Sequence, residues 1–225
     1  MEKLRVLLTG FGPFPGVPEN PSARLAETLA TRSSDLDVEL HARALPTEWQ
    51  AVAALVPALC ETLQPHVMIH FGLSEHAKAF RIERSAHNRT APRADAKGAL
   101  PSSSVILAQR PDRLDTRFPA REFTAHLKAG RLVATTSSSA GSYLCNFLYY
   151  LSLDWSARQA TPPLALFVHI PHASAQGRPF SEVELLHGAQ EVLRLALAFA
   201  NAGTMDRTAP GLALDELGLL EKDAR

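Results

Sequence analysis

Short apolar runs recur along this chain, and between them apolar residues fall at helical spacing. Leu4 to Thr9 is apolar up to Gly10 and predicts a buried strand. A loop rich in Gly and Pro follows (Gly10, Gly12, Pro13, Pro15, Gly16, Pro18, Pro21), and Asn20-Pro21-Ser22 carries the start signal of a helix reaching about Arg32. Asp37 to Ala44 alternates Val38, Leu40 and Ala42 with polar residues, the pattern of a half-buried strand. Thr47 is a suitable N-cap for a helix from Glu48 to Leu63, closed by Pro65. His66 to Gly72 predicts a second buried strand, Phe80 to His87 a weaker alternating one, and Asn88 to Ser104 a polar loop of a length that is usually either functional or disordered. Pro119 to Lys128 predicts a short helix stopped by Gly130, and Leu132 to Thr136 a strand. Small residues from Ser137 to Ser142 lead into an apolar helix from Tyr143 to Leu153. Leu164 to Ile170 predicts a third buried strand, and Ser181 with Glu184 forms a capping box for a helix reaching about Asn201.

Strands alternating with helices predict a single α/β domain over residues 1–203: a three-layer α/β/α sandwich around a mostly parallel, mixed sheet. Residues 204–225, charged and interrupted by Gly and Pro, read as a loosely attached tail with one turn around Leu212 to Leu220. A chain of 225 residues buries such a core without cross-links. Its 46% apolar and 20% charged residues are ordinary for a globular protein. Lys and Arg total 23, as do Asp and Glu, and the zero balance argues against nucleic acid or an anionic membrane surface as partner. Two cysteines, Cys60 and Cys145, make neither a disulfide scaffold nor a thiolate zinc site. With no signal-peptide core and no membrane-length apolar run, the expectation is a cytoplasmic protein with free thiols.

Four features bear on chemistry. Gly10 to Gly16 follows a strand and precedes a helix, but its spacing is G-x-G-x-x-x-G and Pro13 and Pro15 remove the amides a phosphate needs. Read as a rigid turn, it still carries Phe11 and Phe14 at a strand's carboxyl end, where open α/β sheets bind ligands. Cys145 lies near a predicted helix start, which favours a thiolate, although a lone Cys in an apolar helix is more often an inert core residue, as Cys60 appears in Ala58-Leu59-Cys60. His169 ends the strand before Pro171 and is a candidate base, though one of nine histidines. Glu83 either orients such a histidine or pairs with Arg81 or Arg84. His66 and His70 share a strand with no carboxylate cluster and no H-E-x-x-H motif, so neither a metal nor another cofactor is expected.

Four blocks in order carry a family resemblance: LLTGFGPFPGVPENPS (Leu7 to Ser22), FRIERSAHN continuing to Arg93, SSAGSYLCN (Ser138 to Asn146) and FVHIP (Phe167 to Pro171). The chain resembles the pyroglutamyl peptidase I family of cysteine peptidases from about Leu4 to Asn201. The resemblance implies a catalytic triad of Glu83, Cys145 and His169, with Arg93 on the oxyanion side. It also implies substrate contacts from Phe11, Phe14, Asn20, Tyr143 and Leu144, peptide substrates bearing an N-terminal pyroglutamate, and a homotetramer. Leu73 stands where many bacterial members carry Gln, and the segments Glu75 to Lys78 and Pro15 to Pro18 also depart from the usual pattern. Leu73 keeps open a thiol hydrolase of the same fold with altered acyl specificity. A non-catalytic small-molecule binder needs the Phe11/Phe14 pocket but not the three polar residues together.

Overall fold

The apolar runs and amphipathic segments form, in chain order, β1 (Leu4–Phe11), α1 (Pro21–Arg32), β2 (Val38–Leu45), α2 (Trp49–Leu63), β3 (Val67–Ser74), β4 (Phe80–Glu83), β5 (Ser85–His87), β6 (Arg113–Asp115), α3 (Ala120–Ala129), β7 (Ala134–Ser137), α4 (Leu144–Ala157), β8 (Leu164–Pro171) and α5 (Glu182–Met205). This computed structural model describes residues 3–14, 16–18, 20–74, 77–171 and 179–205. Apart from residues 204 and 205, which continue α5, the expected tail lies outside the described residues.

Six strands form one sheet in the order β2-β1-β3-β8-β4-β7. β2, β1, β3 and β8 run parallel, with Gly72 on β3 opposite His169 on β8. β4 runs antiparallel to β8 and sets Arg81 opposite His169, while β7 follows β4 in parallel. Side-chain alternation sends Val6, Leu8, Ile69, Phe71 and Val168 to a face covered by α1, α3 and α5, where Leu25, Phe123 and Val192 are buried. Leu7, Met68, Ala165 and Phe167 face the other way, against Val52, Val56 and Cys60 of α2 and Leu148 and Tyr149 of α4. Each large apolar side chain so buried contributes about 1.5–3 kcal/mol. The result is the expected mixed three-layer sandwich.

Several element ends differ from the sequence pattern, each because of a specific contact. Glu48, not Thr47, is the N-cap residue of α2; the Thr47 hydroxyl donates to the Gly12 carbonyl at 2.9 Å, and the Asp95 carboxylate caps the helix by accepting from the Trp49 amide at 3.0 Å. The Phe80–His87 segment splits at Arg84, whose amide donates to Ser137 and whose carbonyl accepts from Thr116, so β5 leaves the sheet to form a ribbon with β6. β6 is three residues long and gives no pattern of its own. β7 begins late because the Leu132 amide still bonds back to Leu127. α4 continues past Leu153 because its polar end is buried and satisfied: Asp154 pairs with Arg110 and Arg158, and the Ser156 hydroxyl donates to the Pro163 carbonyl. The capping box at Ser181 and Glu184 is present.

Candidate active site

The first wall of the site is the β1–α1 junction. Phe11 is buried at the carboxyl end of β1 in the cluster under α2 and α4, and Phe14 is half-buried against the cluster on the opposite face. A Cβ at Gly10 would stand 2.0 Å from the Ser22 carbonyl oxygen, so only glycine lets α1 start this close to the strand. Ser22 Oγ accepts from the Phe11 amide at 2.9 Å. Asn20 caps α1, accepting from the Ser22 amide at 3.1 Å and donating to the Gly12 carbonyl at 3.0 Å, so its amide organises the loop it stands in.

Cys145 lies in the first turn of α4. Tyr143 is the N-cap residue and offers no side-chain cap, and the first helical bond runs from the Phe147 amide to the Tyr143 carbonyl. The amides of Leu144, Cys145 and Asn146 therefore have no intrahelical partner and point toward the helix entrance. The helix entrance favours a thiolate, and burial opposes it. Burial pushes the thiol up to about 12, with the Glu83 charge adding to the rise, while Arg81, the Cys145 amide and Arg93 pull it down. Loss of hydration outweighs the helix terminus. Cys60 is inert, buried between α2 and β3 against Met68 and likewise pushed up to about 12 by burial.

His169 is buried near the end of β8, and its Nδ1 lies 2.7 Å from Glu83 Oε1. A carboxylate partner fixes the proton on Nδ1, which donates to Glu83 and leaves Nε2 as the basic nitrogen. Burial lowers the imidazole below its ordinary value; the Glu83 hydrogen bond and charge oppose that, and Arg81 adds to it. Both readings of Glu83 hold at once. It pairs with His169 and also with Arg81, whose Nε donates to the same Oε1 at 2.8 Å. The Tyr149 hydroxyl donates to the Glu83 carbonyl at 3.0 Å and ties β4 to α4.

The long loop after β5 is irregular but well anchored, and it carries Arg93 over the site. The Arg93 guanidinium lies 4.5 Å from the centre of the Tyr143 ring. The Arg93 carbonyl accepts from Trp49 Nε1 at 3.1 Å, and the Tyr143 hydroxyl donates to Ala94 at 3.0 Å. Asp95 is nearly fully buried; burial would raise its carboxyl, but the amides of Trp49, Ala99 and Lys97 hold it below the usual range. The Asn146 amide, next to the thiol, clasps the backbones of His87 and Arg89.

These elements enclose a pocket of about 400 Å³ at the carboxyl ends of β1, β3 and β8. Phe11, Phe14, Asn20, Arg93, Tyr143, Leu144, Cys145 and His169 all line it, with Glu83 behind His169. Leu73 lines it too, beside Ser74 and Thr47, which the sequence reading missed because small polar residues at strand ends give no signal of their own. Among the described residues no cluster of His, Cys, Asp or Glu could hold a metal ion. His66 accepts from the Arg5 amide, and His70 is fully buried beside Thr9, lowered by burial to about 3 and so neutral. No described helix is long and apolar enough to cross a membrane.

Fold and pocket define an α/β protein equipped for thiol-based nucleophilic chemistry, with a thiol at a helix entrance and a carboxylate-held imidazole in one cleft. A sequence model of the pyroglutamyl peptidases matches residues 4–178. The chain is 32% identical over 174 residues to the pyrrolidone-carboxylate peptidase of Pyrococcus furiosus, covering 77% of this chain and 83% of that one. It is 31% identical over 182 residues to human pyroglutamyl-peptidase 1, covering 80% and 83%. A solved structure of a variant pyrrolidone carboxyl peptidase from Pyrococcus furiosus superposes with a TM-score of 0.80 at 28% identity, over 88% of this chain and all of that one. Pyroglutamyl peptidase I of Bacillus amyloliquefaciens gives 0.75 at 25% identity, over 84% and 94%. The chain belongs to the pyroglutamyl peptidase family.

Proposed function

We propose that this protein is a cysteine peptidase that removes an N-terminal pyroglutamyl residue from peptides, with Cys145 as nucleophile, His169 as general base and Glu83 as its orienting carboxylate. The observation that carries the reading is the 2.7 Å contact between His169 Nδ1 and the buried Glu83 carboxylate, beside a pocket that Cys145 also lines. With Nδ1 committed to Glu83, Nε2 takes the proton from the Cys145 thiol. In the free site burial favours the neutral form of both groups, raising the thiol and lowering the imidazole. The charged pair forms as the thiol attacks, so nucleophile and base act in one coupled step.

The sulfur adds to the pyroglutamyl carbonyl carbon, and the carbonyl oxygen takes the negative charge. The free amides at the start of α4, with Arg93 alongside, supply donors to that oxygen. Collapse breaks the C–N bond, and His169 gives its proton to the departing amine. Water then attacks the thioester with His169 again as base, the C–S bond breaks, and thiol and free pyroglutamate are released.

The walls suit the acyl group. Pyroglutamate is a neutral lactam without an N-terminal ammonium, and Phe11, Phe14, Leu73 and Tyr143 offer it apolar surface. Among the described residues the pocket lining contains no carboxylate to pair with an ordinary N-terminus, and a free ammonium buried there without a partner costs several kcal/mol. Hydrolysis of pyroglutamyl-aminomethylcoumarin under reducing conditions tests this reading, beside alanyl and prolyl analogues and the Cys145→Ala variant. The expected result is release from the pyroglutamyl substrate alone, abolished in Cys145→Ala. Release from the other substrates instead marks an altered acyl specificity, and no release by folded, reduced protein overturns the assignment.

A further inference from the structure

Glu83 poses an electrostatic problem that His169 alone does not solve. Its side chain has no exposed surface, and its second oxygen, Oε2, is buried without a hydrogen bond among the described residues. A buried negative charge so placed has to be balanced by protein groups, because water cannot reach it. Arg81 meets this at short range. It lies two residues away on the same face of β4, directly opposite His169 in the antiparallel register. Its Nε donates to Glu83 Oε1 at 2.8 Å, and its Nη2 stands 3.2 Å from His169 Nδ1. One carboxylate oxygen therefore serves both the base and the guanidinium.

We propose that Arg81 is a positioning residue that keeps the Glu83–His169 pair from taking up a further proton, and so extends the reaction into mildly acidic solution. The inference rests on the triad reading above. A proton from solvent that enters the pair, on either member, must add positive charge beside the guanidinium. Proton transfer within the site is different. It moves positive charge onto His169, which Arg81 opposes, and leaves negative charge on Cys145, which Arg81 favours. The two effects offset, so Arg81 acts on the acid limb of the pH profile rather than on the plateau.

No other described group supplies this effect. Against the His169 ring stand Arg81 and Glu83 from β4, Cys145 from α4 lines the same pocket, and the residue opposite His169 on β3 is Gly72, which has no side chain. Arg93 and Tyr143 line the same pocket, with the Arg93 charge stacked on the Tyr143 ring. His70, further back on β3, is neutral. Phe167 packs its ring against the imidazole, 4.9 Å between centres, and is not titratable.

The test measures two pH profiles, from about pH 5 to about pH 9, for the full chain, Arg81→Met and Arg81→Lys. One is kcat/KM on pyroglutamyl-aminomethylcoumarin; the other is the rate of Cys145 alkylation by iodoacetamide, which needs no substrate. Arg81→Met is expected to move the acid limb to higher pH in both, keeping a plateau within roughly threefold of the parent, and Arg81→Lys to return the limb toward its original position. Arg81 is only about two-thirds buried, so folding should survive, and Arg81→Gln at matched Tm is the second variant if Met does not fold. Superimposable acid limbs, or an equal loss at every pH that Lys does not restore, overturn the proposal. A parent protein that alkylates but does not hydrolyse the substrate overturns the substrate reading alone, and the alkylation limb still decides the role of Arg81.

Discussion

Gly72 faces His169 across the β3–β8 register, and the space it leaves is already taken. A Cβ there would stand 2.7 Å from the tip of the Phe167 ring and 2.9 Å from Cys145 Sγ. The ring is packed in the core and cannot swing aside, so the sulfur or the strand must shift. Gly72→Ala should therefore cost about 1–3 kcal/mol of stability, read by urea unfolding. It should also lower kcat more than it raises KM, because the nucleophile moves while most of the pocket wall stays; an unchanged kcat would show that the sulfur has room. At this scale the sequence alone left each site residue ambiguous. Glu83 by itself read more readily as an ion-pair partner of Arg81 or Arg84 than as the orienter of a histidine, and the structure gives it Arg81 and His169 on one oxygen. Cys145 read either as a helix-entrance thiolate or as an inert core thiol, and the burial that pushes it up lies in the three-dimensional surroundings. Only the family blocks joined these residues before the fold did.

At the scale of elements, the buried runs became β1, β3 and β8 almost at their expected ends, because continuous apolar sequence bounded by Gly or Pro has few other uses. Most ends that moved were set by partners far along the chain, such as the Asp95 cap on α2, which no local window contains; the late start of β7, held by Leu127, is the exception. The loop from Asn88 onward is the clearest case. Its length marked it as either functional or disordered, while the contacts that shape it come from α2 and the start of α4. Asn146 makes three of them, accepting from the His87 amide and donating to the carbonyls of His87 and Arg89, and it is fully buried. Asn146→Ala leaves those groups unpaired, at about 1–3 kcal/mol for each one that water cannot reach. It also frees the segment leading to Arg93. Stability should fall, and KM should rise even at temperatures where the variant is folded. A stability loss with unchanged KM would mean that Arg93 is held by Trp49 and Tyr143 alone.

At the scale of the whole molecule, alternation foretold the layers but not the strand order. β8 sits between β3 and β4 although its sequence lies some 90 residues further on, and pairing across such a distance leaves no local trace. The short connection from Ser74 to Phe80 does explain why β4 turns antiparallel, since a parallel return needs a crossover of a dozen residues or more. The same layering makes Cys60 a reporter of global opening. It is fully buried where α2 meets β3, within the cluster that also holds α4 and β8. No small motion uncovers it without separating α2 from the sheet, which exposes one whole layer of the core. In a Cys145→Ala background, alkylation of Cys60 under native conditions should run at least about 10³-fold slower than that of an exposed thiol, following the fraction of molecules opened. The rate should rise with urea at the same m-value as equilibrium unfolding, because the two faces of one sheet lose their packing together. A shallow urea dependence would mean that α2 opens by itself as a smaller unit. Labelling as fast as an exposed thiol would refute the packing of α2 on β3, and with it the wall from which Trp49 reaches Arg93.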